Sequence, residues 1–404
     1  MILENIRFLV TQNENREILE NIDLRIEDGK ITEISENIEA EDEKIDCSNK
    51  IVLPGLINCH THVSMSLLRG VSDDKELDEW LHEEIIPRET ELSPQDVYDG
   101  AVLGIKEMLK SGTTCFNDMY APEEKVAEAV DKTGIRAVLA NGIIERSDID
   151  SRLEESKEFI ESFADHPRIK PAVSPHAVYT CSEAALKTLR DQAEELDTSL
   201  HIHLSETKSE NEEFEAENGE RPVEFLERIG LLDENTIAAH CTHLTEEEID
   251  LLAENSVSVS HNPCANLKLG SGIAPVPALL EKGVSVGLGT DGPASNNSFN
   301  MFEEMKFASL IQKNSDPETM SAQQALDMAT VNGAEALGLD GIGSVEEGNK
   351  ADLVAVEVDE AVKPAEKERI VSHLVFSTPS VSETVVDGEV LVRDGELVEK
   401  VKDF

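Results

Sequence analysis

The spacing of apolar and polar residues changes twice along the chain and predicts three regions. Residues 1 to about 53 carry short runs in which apolar and polar side chains alternate, separated by turn residues such as Asp28-Gly29, and this alternation is typical of antiparallel strands. The same alternation returns from about residue 342. Because neither end alone buries much apolar surface, we expect residues 1–53 and 342–404 to pair into one composite β-sandwich.

Residues 54–341 instead repeat the order strand, loop and amphipathic helix. Eight predicted strands end in polar clusters: Cys59-His60-Thr61-His62, Phe116-Asn117-Asp118, Asn141-Gly142, Ser174-Pro175-His176, His203-Leu204-Ser205-Glu206, His240-Cys241, Ser260-His261-Asn262-Pro263 and Thr290-Asp291-Gly292. Eight such units predict an α/β fold, a parallel (β/α)8 TIM-like barrel whose functional side chains collect at the C-terminal strand ends. Segment 77–92 is longer than most barrel loops and is predicted to cover the pocket.

Charge narrows the range of partners. The 404 residues include 35 Lys and Arg against 84 Asp and Glu, a formal net charge of −49, and the acidic residues are spread over every segment. Such a surface repels nucleic acid and anionic membranes, so neither is expected as a partner. It indicates a salt-rich cytoplasm, since the Debye length falls to about 3 Å in molar salt. An ordinary acidic protein is the alternative.

Two further features favour a cytoplasmic protein without a disulfide framework. No apolar stretch reaches the length of a membrane span, and the first residues lack the pattern of a signal peptide. The six cysteines are scattered and contain no C-x-x-C pair, which argues against structural disulfides and against a structural zinc site.

Histidines collect where the predicted strands end. His60 and His62 project from the same side of one strand end, and two neutral imidazoles make half of a metal site. A solvated or hydrogen-bonded histidine pair is the alternative. His203 at the fifth strand end and Asp291 at the eighth can complete a catalytic site that leaves a position for water.

The type and number of metal ions follow from the same residues. Imidazole and carboxylate ligands suit Zn²⁺ or Fe²⁺ and do not discriminate between them. His201 shares a face with His203 but lies one layer deeper, so it is predicted to be a polar core residue. Lys170 lies at the start of the fourth strand, at the wrong mouth for a bridging ligand, so we expect one metal ion.

These motifs resemble the amidohydrolase superfamily, and within it most closely the 5-methylthioadenosine/S-adenosylhomocysteine deaminases. The resemblance covers essentially the whole chain and is carried by segments 54–62, 201–207, 239–241, 260–263, 266–270, 288–292 and 294–298. It implies one divalent metal ion per subunit, Zn²⁺ first and Fe²⁺ second, held by His60, His62, His203 and Asp291.

The resemblance also implies a hydrolytic deamination at C6 of a purine. Glu206 would shuttle the proton to N1 of the ring, His240 would orient the attacking water, and Asp291 would accept the proton of that water. Other interpretations remain open for two of these residues. Glu206 can be a carboxylate near a helix N terminus, and His240 can be a hydrogen-bonded core histidine.

Substrate contacts follow from the subgroup pattern. Glu89 would bind the ribose hydroxyls, His176 would contact the nucleoside, and Trp80 would line the far side of the pocket. The subgroup tends to place two arginines near the 5′ end of the substrate. Arg152 matches one of them, or is a surface helix residue, while Asn141 stands in place of the other. Loss of that bidentate clamp argues against strong S-adenosylhomocysteine binding.

Two other motif matches fail on context. Segment 287–292 matches G-x-G-x-x-G but closes the eighth predicted strand and runs into Pro293, unlike a dinucleotide fingerprint. His82-Glu83-Glu84 matches half of a zinc nucleobase deaminase signature whose P-C-x-x-C half is absent.

We therefore expect an aminohydrolase that converts methylthioadenosine, S-adenosylhomocysteine or adenosine to the inosine analogue and ammonia.

 The alternatives are an aminohydrolase or chlorohydrolase that acts on another N-heterocycle, such as guanine or a triazine, and, in a different class, a non-catalytic scaffold barrel. None of the expected metal ligands is missing, which argues against the scaffold. Relatives suggest a homo-oligomer.

Overall fold

The computed structural model describes residues 1–145, 149–314, 316–358 and 366–404. Its strands are β1 Ile2–Val10, β2 Ile18–Glu27, β3 Lys30–Ser35, β4 Lys44–Asp46, β5 Lys50–Pro54, β6 Leu56–Thr61, β7 Thr113–Met119, β8 Arg136–Ala140, β9 Ile169–Pro171, β10 Leu200–Leu204, β11 Thr236–His240, β12 Ser258–His261, β13 Val286–Leu288, β14 Leu353–Glu357, β15 Val381–Val386, β16 Glu389–Arg393 and β17 Glu396–Leu397.

Helices follow most of the central strands. They are α1 Leu77–Glu79, α2 Ile86–Glu89, α3 Pro94–Lys110, α4 Glu123–Thr133, α5 Ile149–Phe163, α6 Glu183–Glu195, α7 Lys208–Asn218, α8 Pro222–Arg228, α9 Glu246–Glu254, α10 Pro263–Lys268, α11 Val276–Glu281, α12 Pro293–Asn296, α13 Met301–Gln312, α14 Ala322–Met328, α15 Val331–Ala336, α16 Ile370–Ser377 and α17 Glu399–Lys402. Two 3-10 turns, Val63–Leu68 and Lys367–Arg369, and a π-helical turn, Trp80–Ile85, complete the described elements.

The eight central strands form two four-stranded parallel sheets, in the orders β6-β7-β8-β9 and β10-β11-β12-β13. Nearly every residue of these strands is buried, as expected for parallel strands that are covered on both faces. Isolated parallel bridges, Val173 to Leu200 and Ala177 to His203, connect the first sheet to the second. On the other side β13 contacts β6, and the Asp291 backbone N–H donates to the His60 carbonyl over 3.0 Å.

Both chain ends enter a single nine-stranded sheet. Its main path is β17-β16-β15-β14-β5-β1-β2-β3, with β4 paired to β1, and the two ends meet where β14 runs antiparallel to β5. Apolar residues of this sheet, among them Leu24, Ile31 and Leu353, form a buried cluster of their own. The structure thus joins the two ends, whereas their arrangement as a two-layer sandwich stays a prediction.

A buried ion pair connects the central strands to the terminal sheet. Arg136, at the start of β8, donates from Nε and Nη2 to the Asp352 carboxylate over 2.8 and 3.1 Å, and from Nη2 to Asp387 over 2.6 Å. The side chains of Arg136 and Asp352 are only 3% and 1% exposed. Removal of Arg136 would therefore leave the Asp352 carboxylate buried without a charge partner.

The segment 77–92 forms short helical turns rather than an open loop. Its turns α1, Trp80–Ile85 and α2 pack Trp80 and Ile85 into a core cluster that also contains Met65 and Leu269. Among the described residues, we find no helix with the length and apolar content that a membrane crossing requires.

Candidate metal centre and active site

Strand ends bring four of the predicted residues to one place. His60 lies in β6 and His62 directly follows that strand, His203 lies in β10, and Asp291 comes three residues after β13. Because the carboxyl ends of parallel strands open at the same mouth, residues distant in sequence become neighbours. His60 is completely buried, and His203 and Asp291 are each 6% exposed.

The distances within this group suit a metal ion. The Asp291 Oδ1 atom lies 3.5 Å from His60 Nε2 and 3.3 Å from His62 Nε2. The ring centroids of His60 and His203 are 4.9 Å apart, and those of His62 and His203 are 5.4 Å apart. Two sets of three potential ligands share His60: one adds His62 and Asp291, and the other adds His203 and His240.

Hydrogen bonds on the far side of each ring leave Nε2 available as a ligand atom. His62 Nδ1 lies 2.7 Å from the Met119 carbonyl, and His203 Nδ1 lies 2.8 Å from the His176 carbonyl. Because a carbonyl only accepts, both Nδ1 atoms carry the proton and both Nε2 atoms keep a free lone pair. His60 Nε2 is buried and has no hydrogen-bond partner. These features fit a divalent cation.

The electrostatics favour neutral imidazoles and an ionised carboxylate. Burial lowers the pKa of His60 to about 3 and holds the pKa of His203 well below its ordinary value. Burial alone would raise the pKa of Asp291, but the contact with His60 at 3.5 Å and the neighbouring histidine rings outweigh it and hold that pKa well below its usual range. Neutral imidazole and carboxylate are the forms that bind metal ions.

Local backbone geometry fixes Asp291 in this position. Its φ of 58° lies in the left-handed region, which is uncommon for a residue other than glycine. The Gly292 N–H donates to Oδ1 over 2.7 Å, and the Ser295 hydroxyl donates to Oδ2 over 2.6 Å. Ser295 lies on α12, four residues after Asp291, and its role is one that the sequence analysis missed.

Glu206 follows β10 and is 6% exposed. A capping box between Thr207 and Glu210 starts α7, and the Glu210 carboxylate also accepts the N–H groups of Ser205 and Glu206 over 3.0 and 2.7 Å. Thr207 and Glu210 thus cap α7, and the Glu206 side chain is not needed for the cap. Its Oε2 lies 3.7 Å from His240 Nε2.

The environment of Glu206 favours the protonated acid. Burial, followed by the nearby charge of Asp291, raises the pKa of Glu206 to about 8, although a hydrogen bond from Ser271 acts in the opposite direction. At pH 7 a carboxyl group with this pKa is about nine-tenths protonated. A buried acid that holds its proton near neutral pH has the property that a proton shuttle needs.

His240 is held by two asparagines. Its Nδ1 lies 2.9 Å from Asn266 Nδ2 and 3.3 Å from Asn262 Nδ2. Because an amide nitrogen only donates, Nδ1 accepts and the ring proton resides on Nε2, the atom that faces Glu206. Burial lowers the pKa of His240 to about 4, so the ring is neutral.

The residues predicted to bind the substrate each have their own contacts around this centre. The Tyr120 hydroxyl donates to Glu89 Oε1 over 2.7 Å, and burial raises the pKa of Glu89. His176 stacks beside His203, with ring centroids 4.7 Å apart. Trp80 is buried within segment 77–92, which forms a lid, and its Nε1 has no hydrogen-bond partner. Tyr120 was not predicted, although it directly follows the second strand end.

Arg152 turns toward a strand end and does not lie free on the surface. Its Nη2 donates to Asn141 Oδ1 over 2.9 Å, and its Nε is buried without a partner. Asn141 itself is 5% exposed. The residue that stands in place of the expected second arginine therefore contacts the first one.

His201 and His261 are buried histidines outside the predicted ligand set. His201 is completely buried and its Nε2 lies 3.0 Å from His60 Nδ1. It therefore holds the ring of His60, a candidate ligand, through the nitrogen that faces away from Asp291. His261, at the end of β12, is completely buried, and neither ring nitrogen has a hydrogen-bond partner.

A cavity of about 820 Å³ lies beside Ser271, outside the group formed by the candidate ligands, Glu206 and His240. The lid contributes Leu77 and Leu81 to its wall, and Tyr179 and Ser271 lie on other sides. Because Ser271 also hydrogen-bonds Glu206, the cavity reaches the edge of the site from outside.

Comparison with known proteins identifies the family. The amidohydrolase family matches residues 51–391, and the chain belongs to this family. Its α/β fold is that of the family's metal-dependent hydrolases, and the resemblance drawn from the sequence motifs is confirmed.

Individual relatives narrow the comparison. The chain is 45% identical to a 5′-deoxyadenosine deaminase of Methanocaldococcus jannaschii over 88% of its own length and 86% of the relative. It is 46% identical to a 5-methylthioadenosine/S-adenosylhomocysteine deaminase of Thermoanaerobacter pseudethanolicus over 89% of its own length and 86% of the relative. A zinc-bound adenosine deaminase from Xanthomonas campestris superimposes with a TM-score of 0.95 at 36% identity, covering 98% of this chain and 94% of the other.

Proposed function

We propose that the protein is a metal-dependent aminohydrolase that deaminates an adenosine-type nucleoside at C6. The observation that carries this proposal is the buried Glu206, whose Oε2 lies 3.7 Å from His240 Nε2 beside the candidate ligand group. A protonated acid next to a metal site is what hydrolysis of an amidine C–N bond requires. The names of the relatives support the same reaction.

The candidate ligands are His60, His62, His203 and Asp291, which suit one Zn²⁺ or Fe²⁺ ion. Their fit rests on the unpartnered His60 Nε2 and on the tautomers of the other two rings. A divalent cation in this site supplies Lewis acid chemistry and lowers the pKa of a water molecule toward neutrality.

The chain's own residues handle the protons of the reaction. Asp291 is ionised and accepts a proton from the attacking water. Glu206 delivers its proton to N1 of the purine, which makes C6 more electrophilic. It then takes the proton of the new C6 hydroxyl group, while Asp291 passes the water proton to the amino group, which leaves as ammonia. His240 donates from Nε2 and orients the water for attack on C6.

The nucleoside would lie between the metal centre and the lid. Glu89, held by the Tyr120 hydroxyl, would accept hydrogen bonds from the ribose hydroxyls. His176 would contact the nucleoside from beside His203, and Trp80 would close the far side with its free indole N–H.

The 5′ end of the substrate is best accommodated if it is small and uncharged. Arg152 already donates to Asn141, the residue that stands in place of the second arginine of a bidentate clamp. We therefore infer that 5′-deoxyadenosine, methylthioadenosine and adenosine are preferred to S-adenosylhomocysteine, whose carboxylate would lose that clamp. An N-heterocycle without ribose, such as guanine or a triazine, would offer no sugar hydroxyl groups to Glu89.

The decisive experiment measures ammonia release from protein loaded with Zn²⁺, Fe²⁺ or Mn²⁺ in concentrated KCl. The panel contains the three small adenosines, S-adenosylhomocysteine, guanine and cytosine. Turnover of the small adenosines supports the proposal, and turnover of guanine alone would favour the alternative substrate class. Protein with stoichiometric metal and no turnover of any compound would refute the proposed reaction and favour a scaffold.

We further infer that the two four-stranded sheets form one (β/α)8 barrel of residues 54–341, with a composite β-sandwich built from 1–53 and 342–404. The bridges between the sheets and the contact of β13 with β6 support this division. The charge of −49 supports a salt-rich cytoplasm and disfavours binding to nucleic acid. Exposed Ile273, Phe307 and Leu310 support a homo-oligomer.

A further inference from the structure

The two oxygens of the Glu206 carboxyl group lie in different surroundings. Oε1 accepts a hydrogen bond from the Ser271 hydroxyl over 3.0 Å, while Oε2 faces His240 Nε2 at 3.7 Å. Because the Ser271 hydroxyl donates its hydrogen to Oε1, a proton on that oxygen would compete with this bond. At 3.7 Å, Oε2 is too far from His240 Nε2 to accept a hydrogen bond from it. The proton that Glu206 transfers therefore belongs on Oε2.

Ser271 is itself held from two sides. It is 4% exposed, and its backbone N–H donates to the Asn266 carbonyl over 2.9 Å. Its carbonyl lies 2.6 Å from His243 Nε2, which must donate because a carbonyl only accepts. Thr242, which precedes His243 in the chain, donates its hydroxyl to the Glu206 backbone carbonyl over 2.6 Å.

The local sequence is suited to this arrangement. Gly272 has a φ of 139°, and a Cβ atom at this position would lie 2.8 Å from His243 Nε2. Only glycine lets the chain pass this closely to the imidazole that holds the Ser271 carbonyl. The same segment, 262–272, also holds His240 through Asn266. One segment without a proposed catalytic residue thus contacts the side chains of both Glu206 and His240.

We propose that Ser271 is a positioning residue that fixes the Glu206 carboxyl group, so that Oε2 carries the proton toward the substrate. This inference rests on the proposed function, since it assigns a role within that reaction. Loss of the hydroxyl frees the carboxyl group to rotate and lets either oxygen carry the proton. The orientation of the acid, rather than the affinity for the nucleoside, is what changes.

The test compares Ser271→Ala with Ser271→Thr, which restores a hydroxyl, and with Ser309→Ala as the matched control. Ser309 is a fully buried serine on α13 whose hydroxyl has no hydrogen-bond partner. For each metal-loaded variant, kcat and KM are measured for methylthioadenosine or 5′-deoxyadenosine, together with metal content and melting temperature.

We expect Ser271→Ala to lower kcat about threefold to tenfold, the range that a hydrogen bond between neutral groups contributes. Its KM should stay within about threefold, and its metal content should equal that of the wild type. Ser271→Thr should recover most of kcat, and Ser309→Ala should match the wild type.

Two outcomes would overturn the inference while the proposed function stands. They are an active wild type with an unchanged kcat in Ser271→Ala, and equal losses in the Ala and Thr variants. A metal-loaded wild type that turns over no adenosine would overturn the inference and the proposed function together.

Discussion

Replacement of Glu206 by glutamine is the most direct perturbation of the proposed chemistry. The amide has the size of the carboxyl group, and its oxygen can still accept the Ser271 hydroxyl, so the fold should be preserved. What it lacks is the proton that Glu206 holds near neutral pH, where the carboxyl pKa is about 8. General acid catalysis contributes about 10²- to 10⁴-fold, so kcat should fall by that factor, or about 3–5 kcal/mol in barrier height.

The pH profile adds an independent readout. Activity of the wild type requires the acid form of Glu206, so it should decline as pH rises through the pKa of this group. A bound cation favours the carboxylate, which places this decline at or below pH 8. The glutamine variant has no such group to titrate and should lose this alkaline limb.

Both kcat and its pH profile can be measured from ammonia release and from the change in ultraviolet absorbance as the adenosine ring becomes an inosine ring. The comparison variant is Glu206→Asp, which keeps the acid but withdraws it by one methylene, or about 1.5 Å. Its activity should lie between those of the wild type and the glutamine variant. A glutamine variant with kcat within about fivefold of the wild type, and with full metal content, would refute the assignment of Glu206 as the shuttle.

Three further predictions address the metal, the fold and the substrate. His203→Ala should bind much less than one metal ion per chain by elemental analysis, whereas the exposed control His82→Ala should bind as the wild type does; equal metal content in both would contradict the ligand assignment. Arg136→Met should lower the free energy of unfolding in urea by about 3–5 kcal/mol, because Asp352 is left buried and unpaired. The double variant with Asp352→Asn should recover part of this loss, and a single variant within 1 kcal/mol of the wild type would argue against the reasoning. Asn141→Arg should lower KM for S-adenosylhomocysteine about tenfold while KM for methylthioadenosine changes little, and a parallel change in both would contradict the proposed 5′ site.

Some properties of this protein follow from local patterns, and the sequence alone predicts them. Apolar alternation at both ends and βα repetition in the middle indicate the fold class, since each depends on the spacing of neighbouring residues. The His60-x-His62 pair shares a face because strand geometry alternates side chains, and strand ends predict that His203, Glu206 and Asp291 lie at one mouth. The family was predicted from these motifs and is confirmed.

Other properties depend on contacts between segments that are distant in sequence. A partner 65 residues away in sequence decides which oxygen of Glu206 contacts Ser271. A partner 26 residues away decides which ring nitrogen of His240 carries the proton, and one 11 residues away decides the direction of Arg152. The raised pKa of Glu206 likewise requires burial, which no local pattern specifies. The sequence therefore determined the chemical groups at the site, whereas the tertiary structure decided their protonation and orientation, because both depend on what packs against each group.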